Sequence, residues 1–372
     1  MTTRNPWIDQ IKGIACLLIV IHHLAFYGPM TDVLEPFLNR TVSWFRDYAR
    51  MAVQIFLVLG GYLSAAALAP NGYARHSAVA GVLVKRFVRL VVPYVVAVMV
   101  TVAITEGVRF WGFSHGSMSA TPTLLQFLAH IFLLHGILGL ESLSAGAWYV
   151  AIDFQLFALV VLGFGLGRRL QGPLPSSPAG ITLPQIGVVL MTLGSLWFWN
   201  LEGDFDVWAI YFFGAYGLGM MAWWATHDGS ADARRGWHLV MIALVVIALV
   251  VDWRDRIALA GITALSLVWF QALRWPSVTR WLLFKPLQYL GQISYSVFLV
   301  HFGISLLVNA VVFTFWPNAV SANAIGVLFA IMLSVAGGAL LYRWVESKQL
   351  PWLMVGRPAV SSGPDRSTAK VR

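Results

Sequence analysis

The chain has one cysteine in 372 residues, Cys16, and it lies inside an apolar run. A single thiol excludes an intrachain disulfide framework and a cysteine metal site, and no metal centre is expected. Charge is scarce as well. Asp, Glu, Lys and Arg make up 11% of the residues, where an average soluble domain has roughly a quarter. No internal repeat, inverted or parallel, is visible, which weakens a transporter built from duplicated halves. What the sequence does contain is apolar: 59% hydrophobic residues, with 17 Trp and 23 Phe. A water-soluble fold of this length would expose large sticky patches, so the composition excludes one and points to a lipid bilayer. The net charge of +9 would suggest nucleic acid in a soluble protein. Here the positions of the charges matter more than their sum, and no nucleic-acid partner is expected.

The first apolar run, Ile14 to Leu24, follows Arg4 and Lys12 as an export signal does. It continues through His22, His23 and Tyr27 without a small-residue cleavage site and reads as a retained first span. Further apolar segments lie near 45–68, 82–106, 121–140, 147–169, 183–200, 206–226, 236–252, 256–274, 287–313 and 322–346. Basic residues favour cytoplasmic loops, and this bias tests the count. With the N-terminus inside and 121–140 not crossing, 19 of the 25 basic residues fall inside and 6 outside. If 121–140 crossed, only eight would remain inside. The expectation is therefore an all-α polytopic membrane protein with about ten transmembrane helices and both termini cytoplasmic. Thr121–Leu140, which carries His130 and His135, becomes a re-entrant or outer-surface helix. Residues 1–350 read as one membrane-embedded domain. Pro173–Pro178 reads as a cytoplasmic linker, and 351–372 as a disordered tail rich in Ser, Pro and Gly from Arg357 onward.

Ionisable residues within spans are costly and are site candidates by default. His23, Asp153 and His301 come from distant parts of the sequence yet fall at similar depth. A carboxylate beside an imidazole is a general-base arrangement. The alternative for any lone member is a polar tie between helices. Lys12, Lys85, Arg86 and Arg89 gather at the cytoplasmic ends. Lys12 and His23, eleven residues apart, share one helix face about 16 Å apart along the axis, whereas His22 is rotated away by roughly 80°. Arg86 and Arg89, at i and i+3, share a face as well. Such cations suit a phosphate-bearing ligand, or they are ordinary cytoplasmic anchors, the reading preferred for Lys85. An anion held at the inner surface with a reactive histidine deeper in the bundle fits a long donor carrying phosphates at one end.

These stretches resemble the membrane acyltransferase-3 family. WIDQIKGIACLLIVIHH resembles its first-helix pattern of a basic residue, ten residues and a histidine, here Lys12 and His23. VQIFLVLGGYLSA at 53–65 resembles the second-helix motif, with Gly60 where serine is usual and Gln54 where an acid is common. KRFVRLVVPY at 85–94 resembles the RxxR motif through Arg86 and Arg89, with Pro93 one residue late. WYVAIDFQLF at 148–157 carries Asp153 in place of glutamate, and GQISYSVFLVH at 291–301 ends on His301.

The resemblance implies an enzyme moving an acyl group, usually acetyl from acetyl-CoA, onto a carbohydrate or related acceptor. No tightly bound cofactor is implied; acyl-CoA is the donor substrate. His23 is then the base, Asp153 the group that orients it, and Lys12, Arg86 and Arg89 the donor-phosphate contacts. His301 is either an acceptor contact or a structural tie, and His135 and Trp148 are open in the same way. Many relatives carry a fused extracytoplasmic domain that this chain is expected to lack, so the glycan acceptor meets the membrane domain directly or is delivered by a partner. Outer-loop tryptophans (Trp44, Trp148, Trp197, Trp199 and Trp208) with Glu202, Asp204 and Asp206 either bind sugar or form an interfacial belt. Location in a bacterial inner membrane, contact with membrane lipids and a possible homo-oligomer complete the expectation. The rival reading is a proton-coupled transporter or flippase using His23 and Asp153 as a relay.

Overall fold

The computed structural model describes residues 5–75, 78–171, 181–272 and 284–348. The described residues are helical, with no strand among them. In chain order the helices are α1 Pro6–Tyr27, α2 Pro29–Asp47, α3 Ala52–Leu68 and α4 Val79–Phe110. Next come α5 Leu124–Ile131, α6 Ala147–Gln171, α7 Leu183–Trp197 and α8 Ala209–His227. The last four are α9 Ala231–Val251, α10 Asp255–Ala272, α11 Lys285–Phe315 and α12 Val320–Leu341. The Pro173–Pro178 linker, Arg274, Arg280 and the tail from Arg357 lie outside the described residues.

Among the described residues, seven helical stretches are long and apolar enough to cross a membrane: Pro6–Tyr27, Pro29–Leu68, Val79–Phe110, Ala147–Leu170, Ala231–Val251, Lys285–Phe315 and Val320–Glu346. The other expected spans, α7, α8 and α10, are helices but are not among the seven; α7 has only 15 residues. Apolar side chains such as Ile325, Leu328 and Met332 of α12 stay exposed, as a lipid-facing helix requires. The interior is organised on α8, of whose 19 residues 15 are buried. A helix apolar on every side belongs in the middle of the bundle.

Glycine contacts in two helix pairs set the packing around the site. A Cβ on Gly61 would sit 1.8 Å from the Tyr216 carbonyl oxygen, so α3 and α8 meet backbone to backbone. On α1 and α11 a Cβ at Gly13 would sit 2.2 Å from the Leu287 oxygen, and one at Gly291 1.7 Å from the Asp9 oxygen. These two helices run in the same direction. Both finish at the end of the bundle that carries α5, where α4 ends in contacts from Arg109 to Thr121 and Ser119.

Segment 121–140 is not a membrane-length helix. Its eight-residue helix α5 opens on a capping box between Thr123 and Gln126 and gives way to turns from Phe132. The structure also adds α2, where residues 29–44 were expected to be loop. Its charges, Asp32, Glu35, Arg40, Arg46 and Asp47, hide it from a search for apolar runs, while Met30, Leu34 and Val42 bury its inner face. It kinks at Leu38 (φ −127, ψ 31), two residues after Pro36.

Candidate active site

The backbone contact between α1 and α11 brings His23 and His301 together. His23 Nδ1 lies 2.6 Å from His301 Nε2, and the rings are nearly parallel with centroids 4.9 Å apart. His301 is fully buried and His23 is 9% exposed. The proton positions follow from the third partner. His301 Nδ1 is 2.7 Å from the Phe298 carbonyl oxygen, which can only accept. His301 Nδ1 therefore carries the proton, and a neutral His301 presents a bare Nε2. His23 Nδ1 must donate to it. In neutral His23 that leaves Nε2 as an unprotonated acceptor, the form a general base needs.

His23 lines a cavity of about 470 Å³ together with His22, Tyr27, Arg50, Glu141 and Trp148. His22 borders the same cavity but is held differently: its Nδ1 donates to the Phe45 carbonyl of α2 at 3.2 Å. The two adjacent histidines thus differ as the helix-face argument requires, one tied to a neighbouring helix and one paired with a second imidazole.

Asp153 does not hold the His23 ring. Its Oδ2 accepts from Arg86 Nη2 at 2.6 Å, and Arg86 lies over the Phe157 ring at 5.1 Å. The expected contact with His23 is corrected for a geometric reason. Tyr149 of α6 packs edge-on against Phe298, the residue whose carbonyl takes His301, whereas Asp153 sits one helical turn further along α6, about 6 Å away along the axis. At that depth it meets Arg86 reaching up from the first turns of α4. The expected role of Arg86 as a free phosphate contact changes with it, because its charge is already paired. Gly60, where the family has serine, borders this pair: a Cβ there would be 3.8 Å from Asp153 Oδ1 and 3.2 Å from the Tyr216 ring.

Arg89 and Lys85 are exposed near the start of α4, and Lys12 is half-buried nearly two turns into α1. Glu346, in the π-helical turn Tyr342–Glu346 that follows α12, accepts from Ser296 Oγ at 2.7 Å. At the opposite end His130 and His135 stack with centroids 4.1 Å apart. His130 is locked in one tautomer, its Nδ1 donating to the Gln126 carbonyl at 2.8 Å and its Nε2 accepting from the Leu143 amide at 3.1 Å. His135 and Trp148 line a second cavity of about 700 Å³.

The pairing of the two histidines was missed from sequence, although a signal was present. His23 comes ten residues after Gly13, and His301 ten after Gly291. Two parallel helices in contact at those glycines carry both rings about 15 Å onward to the same level.

The fold and site define a class first: a helical membrane protein whose interior holds two hydrogen-bonded histidines, one of them lining a cavity. The family follows. The model of an acyltransferase domain, Acyl_transf_3, matches residues 5–343. The chain therefore belongs to the acyltransferase-3 family, and it is an acyltransferase. None of the curated proteins and none of the solved structures matches it.

Proposed function

We propose that the protein is an inner-membrane O-acyltransferase that moves an acetyl group from acetyl-CoA to a hydroxyl of a glycan. In this reading it has ten spans and both termini in the cytoplasm, supported by the 19-to-6 division of basic residues. The observation that carries the chemistry is the hydrogen-bond chain from the Phe298 carbonyl through His301 to His23. It fixes the His23 tautomer and leaves Nε2 bare in a polar cavity.

His23 Nε2 takes the proton from the acceptor hydroxyl as its oxygen attacks the thioester carbonyl. The tetrahedral intermediate collapses with cleavage of the carbon–sulfur bond. The proton on His23 Nε2 passes to the departing thiolate, giving the ester and free CoA. His301 acts as a positioning residue, taking the place that a carboxylate often holds behind a catalytic imidazole. Arg89 and Lys12 supply cations for the CoA phosphates, while Arg86 and Asp153 brace α4 against α6 between the donor entrance and the base.

Purified protein in detergent or nanodiscs, supplied with acetyl-CoA, tests this. Thiol release that depends on His23 supports the reading. Thiol release unchanged by His23→Ala contradicts it.

A further inference from the structure

The larger cavity, about 700 Å³, opens at the α5 end between α3, α6, the start of α8 and the α9–α10 turn. Arg50, Val53 and Trp148 line both cavities, so this one adjoins the histidine cavity across a shared wall. One group in its lining, His135, is not accounted for by the fold, and Gln54 and Arg50 line the cavity beside it. His135 is 1% exposed, and neither ring nitrogen has a hydrogen-bond partner among the described residues. Gln54 is 7% exposed, and its amide makes no hydrogen bond among the described residues. Arg50 is exposed and makes no ion pair or hydrogen bond among them. Buried polar groups are normally satisfied, and leaving one unpaired destabilises the fold.

The local structure holds His135 in this position. It stacks on His130, which is itself locked at both nitrogens. The turn between them passes through Leu133 at φ 59, a left-handed conformation that a buried leucine adopts only when its surroundings enforce it. Burial and the neighbouring His130 push the His135 pKa down to about 4, so the ring is neutral at physiological pH. A neutral imidazole offers one N–H donor and one bare nitrogen, and an amide likewise donates and accepts. Both match hydroxyl groups. Trp148 and Trp253 add flat apolar faces. Among the cations, Arg254 is already paired with Asp252 at 3.2 Å, whereas Arg50 has no carboxylate partner among the described residues. Arg256 is held by the Tyr211 hydroxyl and the Asn200 carbonyl, neither of which cancels its charge.

We propose that this cavity binds the acceptor and that the acceptor is an acidic sugar, with Arg50 holding its carboxylate or phosphate and His135 and Gln54 taking its hydroxyls. The role as acceptor site rests on the acyl-transfer reading above; the binding of an acidic sugar does not.

Direct binding of three ligands tests it: methyl glucoside, methyl glucuronide and glucose 1-phosphate, titrated against the full-length protein in nanodiscs. The expected result is that one or both acidic sugars bind at least tenfold more tightly than the glucoside, and which of them does so separates carboxylate from phosphate. Arg50→Gln should remove that preference and Arg50→Lys restore most of it. His135→Phe keeps the stacked ring and removes both nitrogens, so it should weaken binding about tenfold while the Kd for acetyl-CoA stays the same. Equal binding of all three sugars, no sugar binding at all, or unchanged binding in His135→Phe and Arg50→Gln would overturn the proposal. Missing thiol release alongside intact sugar binding would instead count against acyl transfer and leave the sugar site standing.

Discussion

His23 Nδ1 donates to His301 Nε2 across 2.6 Å, and the donor of that bond is set by a backbone carbonyl one turn back on α11. His23 is therefore oriented by a neutral partner and not by the Asp153 carboxylate, which the sequence suggested. A neutral partner fixes the tautomer without placing a full negative charge in the membrane interior, where charge is costly.

Substituting His301 should act on turnover more than on substrate binding. His301→Leu leaves the His23 tautomer unfixed, and a decrease of about 100-fold in kcat, within the range of acid–base contributions, is expected with little change in KM. His301→Gln retains an oxygen that can accept from His23 Nδ1 and should recover part of the loss. Steady-state kinetics on the two variants checks this; equal damage from both would reduce His301 to a packing role.

The adjacent histidines should separate cleanly. His23→Ala is expected to abolish transfer in folded, membrane-inserted protein. His22→Ala, which loses one bond to the Phe45 carbonyl, should keep most of its turnover and lose about 1 kcal/mol of stability. Activity and thermal melting at matched expression decide the assignment.

Arg86 and Asp153 should respond as a pair. Removing either partner leaves an uncompensated charge in a partly buried site, at a cost of about 3 kcal/mol, the low end for broken buried pairs. Arg86→Ala with Asp153→Ala should be less destabilising than the sum of the two single changes. In Asp153→Asn the melting temperature should fall while kcat drops less than in His301→Leu, because His23 keeps its partner.

Arg89 carries the donor prediction that Arg86 no longer can. A charge-assisted bond to phosphate is worth roughly 1.5–3 kcal/mol, so Arg89→Ala should weaken acetyl-CoA binding roughly 10- to 150-fold. Lys85→Ala, read as an anchor, should change it far less. Titration of acetyl-CoA against both variants measures the difference, and equal affinities would remove the phosphates from this face of α4.

His135 predicts an acid-sensitive fold. Its pKa is about 4 in the folded chain against 6.5 for a free imidazole, so the unfolded chain binds the extra proton first as pH falls. Stability is then complete above 6.5 and declines as pH drops toward 4, by up to about 3 kcal/mol. Thermal melts at pH 7 and pH 5 should show a smaller decline in His135→Phe than in the unaltered protein.

The parts of the fold legible in the sequence were those that depend on apolar runs. Every long helix except α2 lay where hydropathy marked one, and the charge bias identified 121–140 as no ordinary span. α2 was hidden because its charged outer face cancels its apolar inner face in an average. The site was half legible. Helix periodicity placed His23 and His22 on different faces, which is a local matter, and their hydrogen-bond partners differ. The partners of His23, Asp153 and Arg86 depend on which helices touch, and contacts at Gly13 and Gly291 decide that. A glycine announces a close approach without saying to what.

The most direct test is thiol release from acetyl-CoA by purified protein, comparing the unaltered chain with His23→Asn at equal folded concentration. A base at His23 predicts steady release by the unaltered chain and background release by the variant. Release by the variant within tenfold of the unaltered chain would contradict it.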